Sequence, residues 1–221
     1  MTVKPSNKTS QIDLEILKLC NDKIDSFLDY NDDISVIKRE AFKRYRKKGL
    51  PNRFEESWKY TNIHKKLQNI PVSDKNYPIP LNVDNFINSF DIMSKIKSDD
   101  DILIVFMDGQ FIPELSMLEY SKNGMEINFL SHGDVPRWAS ELMINKHNAN
   151  EDPLFDLNTI LMQEGVLINV SANVKIDSNV YIIHIGNNDG FFNYRHVINV
   201  GKDSHINVTE LKVSNRVNDA L

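Results

Sequence analysis

From Gly165 onward, apolar residues recur at every second position and are broken by Asn, Asp, Ser and Gly. Val166, Ile168 and Val170 alternate with other residues, as do Val174 and Ile176, Val180 and Ile182, His196, Ile198 and Val200, and Ile206 and Val208. A period of two bounded by turn formers predicts short, half-buried β-strands. Strands this short bury too little surface singly, so they must stack, either as a sandwich or as a solenoid. The alternation leaves that choice open.

Upstream the period changes. Between Gln11 and Asp29, Ile12, Ile16, Leu19, Cys20, Ile24, Phe27 and Leu28 share one side of a helical wheel, which predicts an amphipathic helix capped by Ser10. A second helix is expected from about Ser35 to Gly49, with Pro51 barring continuation. Asn52 and Glu55 have capping-box spacing for a short helix, and Trp58 and Tyr60 are expected as core or interface anchors. Pro71, Pro78 and Pro80 mark a linker, followed by one short helix near Asn85–Lys95. Ile102–Phe106 is a continuous apolar strand, and Asp108-Gly109 forms a two-residue hairpin turn before Phe111-Ile112. Met125–Leu130 is a further strand closing at Gly133. Pro136 opens a helix with Trp138, Leu142 and Met143, and Asn145–Asn150 reads as a polar loop. Leu154–Gln163 is a helix, with Gly165 as its C-cap. Residues 1–10 are expected to fray.

Composition narrows the function classes. The 221 residues are 41% hydrophobic, enough for a substantial core, and the formal charge of −5 argues against a general nucleic-acid binder. The basic run Lys38, Arg39, Lys43, Arg44, Arg46, Lys47 and Lys48 is accordingly read as a solvated helix face complementing the helix dipole. A single cysteine excludes an internal disulfide framework and fits a reducing, cytoplasmic setting. Cys20 lies in the apolar stripe and is expected to be buried and inert.

Candidate chemistry is sparse. His184, His196 and His205 fall in the β region at spacings of twelve and nine, where stacked strands could bring them together. No tight ligand pair appears, so the histidines, including His64, His132 and His147, are read as surface or hydrogen-bonding residues. Glu55-Glu56 and Asp99–Asp101 are read as solvated charges. No nucleophile elbow, phosphate loop or dinucleotide fingerprint is present. No catalytic, cofactor-binding or metal residue is assigned, and no enzyme is expected.

One segment is more specific. Gly49-Leu50-Pro51, followed by Arg53, Glu56 and Trp58-Lys59-Tyr60-Thr61 directly after a basic helix, resembles the N-terminal signature of the SufD family, whose members are scaffold subunits of the Suf iron–sulfur cluster assembly system. Val105–Ser116 is similar to that family's strand–turn–strand ending in Pro-Glu-Leu-Ser, and Asp152–Val170 to its Leu-Asn-Thr helix leading into the first strands. The resemblance covers roughly residues 35 to 210. It favours SufD over the SufB paralogue.

The resemblance implies an α+β chain: an N-terminal helical region with a Pro-rich linker (1–100), a mixed strand and helix segment (101–165), and the opening rungs of a right-handed parallel β-helix (166–221). It implies a non-catalytic, cytoplasmic scaffold that pairs with a SufB-like paralogue and a SufC-like ATPase, in a hetero-oligomer that assembles the cluster transiently. No cofactor is expected on this chain itself. The family's assembly-linked histidine and its SufC-docking segment correspond to sequence beyond residue 221. The alternative from another class is a carbohydrate-active or carbohydrate-binding solenoid, which would need paired carboxylates among Asp177, Asp189, Asp203 and Glu210. A general interaction module is a third reading. A β-helix stopped after a few rungs has an open end, so residues 197–213 are expected to drive self-association. Light scattering at rising concentration measures this, and a strictly monomeric chain would count against an open end.

Overall fold

The computed structural model describes residues 10–25, 32–68, 100–118, 121–122, 124–132, 135–149 and 152–214. Phe27, Leu28, the proline linker, the Asn85–Lys95 helix and Gly133 lie outside the described residues. The chain is α+β and divides into two compact units, one of residues 1–74 and 143–161 and the other of residues 75–142 and 162–221.

The first unit is helical. Helix α1 (Gln11–Asp25) buries Ile12, Ile16, Cys20 and Ile24. Ser10 caps it: its hydroxyl accepts from Asp13 N–H, while the Asp13 carboxylate accepts from Ser10 N–H at 3.0 Å. Helix α2 (Asp33–Lys48) is capped by Asp32, which accepts from Ser35 N–H at 3.0 Å. It ends at Gly49 with φ of 67°, whose N–H returns to the Tyr45 carbonyl. Lys43, Arg46, Lys47 and Lys48 are exposed as expected, but the face is not wholly solvated. Lys38 is buried, and Arg44 reaches the fully buried Asp156 at 2.8 Å. Phe42 and Tyr45 lie in the core, with the exposed Arg46 guanidinium 6.0 Å over the Phe42 ring. A short helix α3 (Ile63–Leu67) follows, with His64 bonded to Asp13 at 3.2 Å.

Between α2 and α3 the core half of the core-or-interface expectation fails for Tyr60. Tyr60 is 91% exposed and Phe54 86%, and Trp58 is half-buried beside a single 3₁₀ turn, Glu56–Trp58. The Asn52–Glu55 spacing forms half of a capping box: the Glu55 carboxylate accepts from Asn52 N–H, while the Asn52 side chain accepts from Phe54 N–H and Glu55 N–H goes to the Asn52 carbonyl. Those bonds close a turn rather than launch an α-helix.

Helix α4 (Arg137–Ala149) runs through the segment expected as a loop. No Gly or Pro interrupts residues 137–149, and polar composition alone does not stop a helix. Helix α5 (Pro153–Leu161) ends earlier than expected, so Gly165 is not its C-cap.

The second unit holds two four-stranded sheets. One has the order β2 (Gln110–Phe111), β1 (Ile102–Met107), β6 (Lys175–Gly186), β8 (His205–Ser214). The other has the order β3 (Ser121–Lys122), β4 (Met125–Phe129), β5 (Val166–Val170), β7 (Val197–Val200). Asp108 and Gly109, with φ of 46° and 87°, make the tight β1–β2 turn, both residues taking the left-handed conformation that a type I′ turn requires. Ile102, Ile104, Phe106, Val180 and Ile182 from one sheet meet Met125, Ile127, Phe129, Val166, Ile168 and Val170 from the other in one apolar core. The opposite residues of β1 and β6, Leu103, Val105, Met107, Tyr181, Ile183 and Ile185, bury against Ile112 and Leu115. Strand β1 and residues 180–185 of β6 are therefore dry on both faces, which is why β1 reads as a continuous apolar run.

Strands β5 and β7 are parallel with Ile168 opposite Ile198, an offset of thirty, and β6 and β8 are parallel with Lys175 opposite His205 at thirty, shifting to twenty-eight from Asn179 opposite Asn207 onward. The offset of thirty also relates Asn173 and Asp203, which turn the corners with φ of 60° and 56°. Asn199 donates to the Asn169 side chain at 2.8 Å across the stack. Gly165 belongs to this stacking: a Cβ there would lie 1.9 Å from the Arg195 carbonyl oxygen. Asp101 is likewise not a solvated charge. It is buried and accepts from both the backbone and the side-chain amide of Asn179, at 2.9 and 3.0 Å.

Gly165→Ala is expected to lower unfolding free energy by about 2 kcal/mol or more, because backbone must move to admit the methyl group. Urea denaturation of the two proteins measures the difference; an unchanged midpoint would contradict the close approach.

Candidate functional site

The described residues with chemical potential gather where the inner row of β6 leaves the apolar core. Val180 and Ile182 are core residues, and the next residue of the same parity is His184. It sits opposite Phe106 of β1 in register, and their rings stack at 5.5 Å and 15°. On the other side of β6, Ile206 and Val208 of β8 pack against the core, and Glu210 continues their row. From the second sheet comes His196, immediately before β7 and thirty residues from Val166.

These three side chains converge. His184 Nε2 lies 3.0 Å from Glu210 Oε1 and 3.2 Å from His196 Nε2. Val166 N–H donates to His196 Nδ1 at 3.0 Å, fixing the ring that far back in the stack. Tyr194 closes one wall, 4.4 Å from the His184 ring, with its hydroxyl accepting from Gly109 N–H at 2.7 Å. Asp108 anchors the segment leading there by accepting from Asn187 N–H and Asn188 N–H, at 2.8 and 3.0 Å. The loop between β6 and β7 is thereby tied to the β1–β2 turn, and it returns the chain so that histidines twelve residues apart meet.

The electrostatics are those of a largely dry pocket with one wet side. His184 is buried, while the Glu210 side chain is 48% exposed and Lys212 approaches it at 3.8 Å. Burial holds the His184 imidazole below its ordinary range, opposed by the Glu210 charge. Burial, then the neighbouring His184, depress His196 to about 4. Burial also raises the Tyr194 phenol, so it stays protonated. Two neutral imidazoles and one carboxylate is a donor set suited to a metal ion, and these are the described residues whose donor atoms converge, all within 4.8 Å of one another. His184 Nδ1 is buried without a hydrogen-bond partner.

Of the three histidines considered from the sequence, the fold unites His184 and His196 and leaves out His205, which is exposed and contacts Asn207. His132 ends a 3₁₀ turn against Phe111 and Phe129, and His147 lies in α4 rather than a loop. Glu210 is read from the sequence only as a carboxylate of the carbohydrate alternative, and Phe106 and Tyr194 carry no functional reading there. The recurrence of Ile-Asn-Val at 168–170 and 198–200 matches the β5–β7 offset and places position 196 against 166, but a third copy at 206–208 breaks the period and nothing in it marks Glu210, Phe106 or Tyr194. The carboxylates required by a carbohydrate-active site take other partners: Asp177 pairs with Lys175 at 2.8 Å, and Glu210 faces His184. Cys20 is fully buried and desolvation pushes its thiol up to about 12, so it is inert as expected.

A family model described as the SufBD protein N-terminal region matches residues 17–182. No curated protein matches the chain.

His196 should make the fold acid-sensitive. The unfolded chain takes up this proton near pH 6.5 and the folded chain only near 4, so the unfolded state binds more protons throughout that window. Stability is expected to fall on the order of 2 kcal/mol between pH 7 and 4.5 through this residue. His196→Asn keeps an acceptor for Val166 N–H and removes the titration. Its denaturation midpoint should vary less with pH than that of the parent; equal slopes would refute the assignment.

Proposed function

The chain belongs to the SufBD family of the SUF iron–sulfur cluster assembly system, and from that membership we propose that it serves as a non-catalytic, SufD-like scaffold subunit of the assembly complex. The observation that carries the reading is the family match across residues 17–182, which includes both the helical unit's signature and the strands up to the middle of β6. The Gly49-Leu50-Pro51 and Trp58-Lys59-Tyr60-Thr61 runs favour the SufD-like over the SufB-like assignment.

The strand stack supports a parallel β-helix as the scaffold's core. Parallel pairing of β5 with β7 and β6 with β8, at offsets of thirty and twenty-eight, is what two successive coils of such a helix require. The state of Cys20 supports a non-catalytic role, because a protonated, inaccessible thiol neither attacks a sulfur donor nor ligates iron. Its partners are a SufB-like paralogue and a SufC-like ATPase, with the cluster formed transiently by the complex. Among the described residues no helix is long and apolar enough to cross a membrane; the cytoplasmic assignment is drawn from the family resemblance.

Co-expression of the affinity-tagged protein with the SufB-like and SufC-like proteins of its own source tests this. Both partners should co-purify, and ATP hydrolysis should require the SufC-like subunit. The tagged protein alone should show neither ATPase activity nor cluster absorption after anaerobic incubation with iron and sulfide. Failure of both partners to co-purify, or ATP or polysaccharide turnover by the protein alone, would overturn the proposal.

A further inference from the structure

We propose that His184, His196 and Glu210 form a mononuclear site for a divalent first-row transition-metal ion, reached from solvent along the Glu210 side. The inference stands apart from the scaffold assignment, because it rests on the geometry of three side chains in one unit.

Two of the three donor spacings already have the dimensions of a coordination shell, and all three donors lie within 4.8 Å of one another. An ion with bonds of about 2.0–2.1 Å in tetrahedral geometry holds its ligands roughly 3.3 Å apart. His184 Nε2 stands 3.0 Å from Glu210 Oε1 and 3.2 Å from His196 Nε2.

Protons alone do not satisfy this arrangement. Val166 N–H makes His196 Nδ1 an acceptor, so the neutral ring carries its proton on Nε2, aimed at His184 Nε2. If His184 Nε2 accepts, its lone pair also faces the Glu210 oxygen at 3.0 Å, and the His184 proton sits on Nδ1, buried without a partner. If His184 Nε2 instead donates to Glu210, two N–H groups face each other at 3.2 Å. A cation at the shared point accepts all three lone pairs. Loading then moves the His196 proton from Nε2 to Nδ1 and releases Val166 N–H, one backbone hydrogen bond set against three coordinate bonds.

The donors select the class of ion. Two imidazoles and a carboxylate suit Zn²⁺ or Fe²⁺, whereas Mg²⁺ and Ca²⁺ require mostly oxygen ligands. Phe106 and Tyr194 wall the inner side, leaving the remaining coordination positions on the exposed side for water or a partner's donor atom. Lys212 is 79% exposed on a long stem, so the ion displaces its weak 3.8 Å contact with Glu210.

The chelator-treated protein would be titrated with Zn²⁺ by calorimetry and with Co²⁺ by visible absorption, with Mg²⁺ as the control. One equivalent of Zn²⁺ or Co²⁺ should bind, with Co²⁺ giving the bands of a nitrogen- and oxygen-ligated site. Glu210→Gln, a change at a half-exposed position that should leave the fold intact, should weaken binding at least tenfold; His184→Ala should weaken it about a hundredfold or more. His205→Ala should bind as the parent does. Hydrogen exchange at the Val166 amide should quicken on loading. The proposal fails if Mg²⁺ competes equally, if Glu210→Gln binds as tightly as the parent, or if His205→Ala loses the ion instead.

Discussion

Strand β6 is the element on which the β unit depends. It pairs in parallel with β1 on one edge and β8 on the other, and residues 180–185 are buried on both faces. A strand so enclosed has no water to satisfy its backbone, so its register is set by its neighbours at every position. Two buried aspartates hold its ends. Asp101, just before β1, takes the amides of Asn179, and Asp108, just after β1, takes those of Asn187 and Asn188. Because β1 lies between them, the two clamps fix one strand against the other like stops on a slide. His184 is placed by that register opposite Phe106, and the candidate site follows from it.

Much of this was legible in the residues. Alternation gave the inner faces of β5, β6 and β8, and the apolar run gave β1. The pair Asp108-Gly109 gave the hairpin, since few other dipeptides tolerate positive φ at both positions. Helix ends at Ser10 and Gly49 fall where the sequence reading puts them, whereas the second helix starts at Asp33 behind an Asp32 cap, ahead of the Ser35 start expected. Two of the failures share a cause, because each depends on a partner distant in sequence. Gly165 has the look of a helix terminator, but its missing side chain is required by the carbonyl of Arg195. Asp101 has the look of a surface charge until Asn179 is brought to it. Tyr60 has the size of a core residue, and nothing local reveals that the turn after α2 presents it outward.

The candidate site was the least legible part for the same reason. A search for ligands at short spacing is built for helices and tight loops, where neighbours in sequence are neighbours in space. In a stack, neighbours in space are separated by a coil length on one strand and by a loop on the next. His184 and His196 meet through the loop; Glu210 joins them from the following strand.

The matched corners at Asn173 and Asp203 carry a further implication for how such a chain tolerates change. Between them, each residue is counted, since one insertion would rotate a whole row of side chains from the interior to the outside. The segment from 187 to 195 lies outside the strands and has latitude in shape, yet its length returns His196 to Val166. What the stack constrains most tightly is therefore distance along the chain rather than the chemical identity of most residues. A homologue with altogether different side chains but the same spacing between corners would still stack, whereas a near-identical chain one residue longer would not.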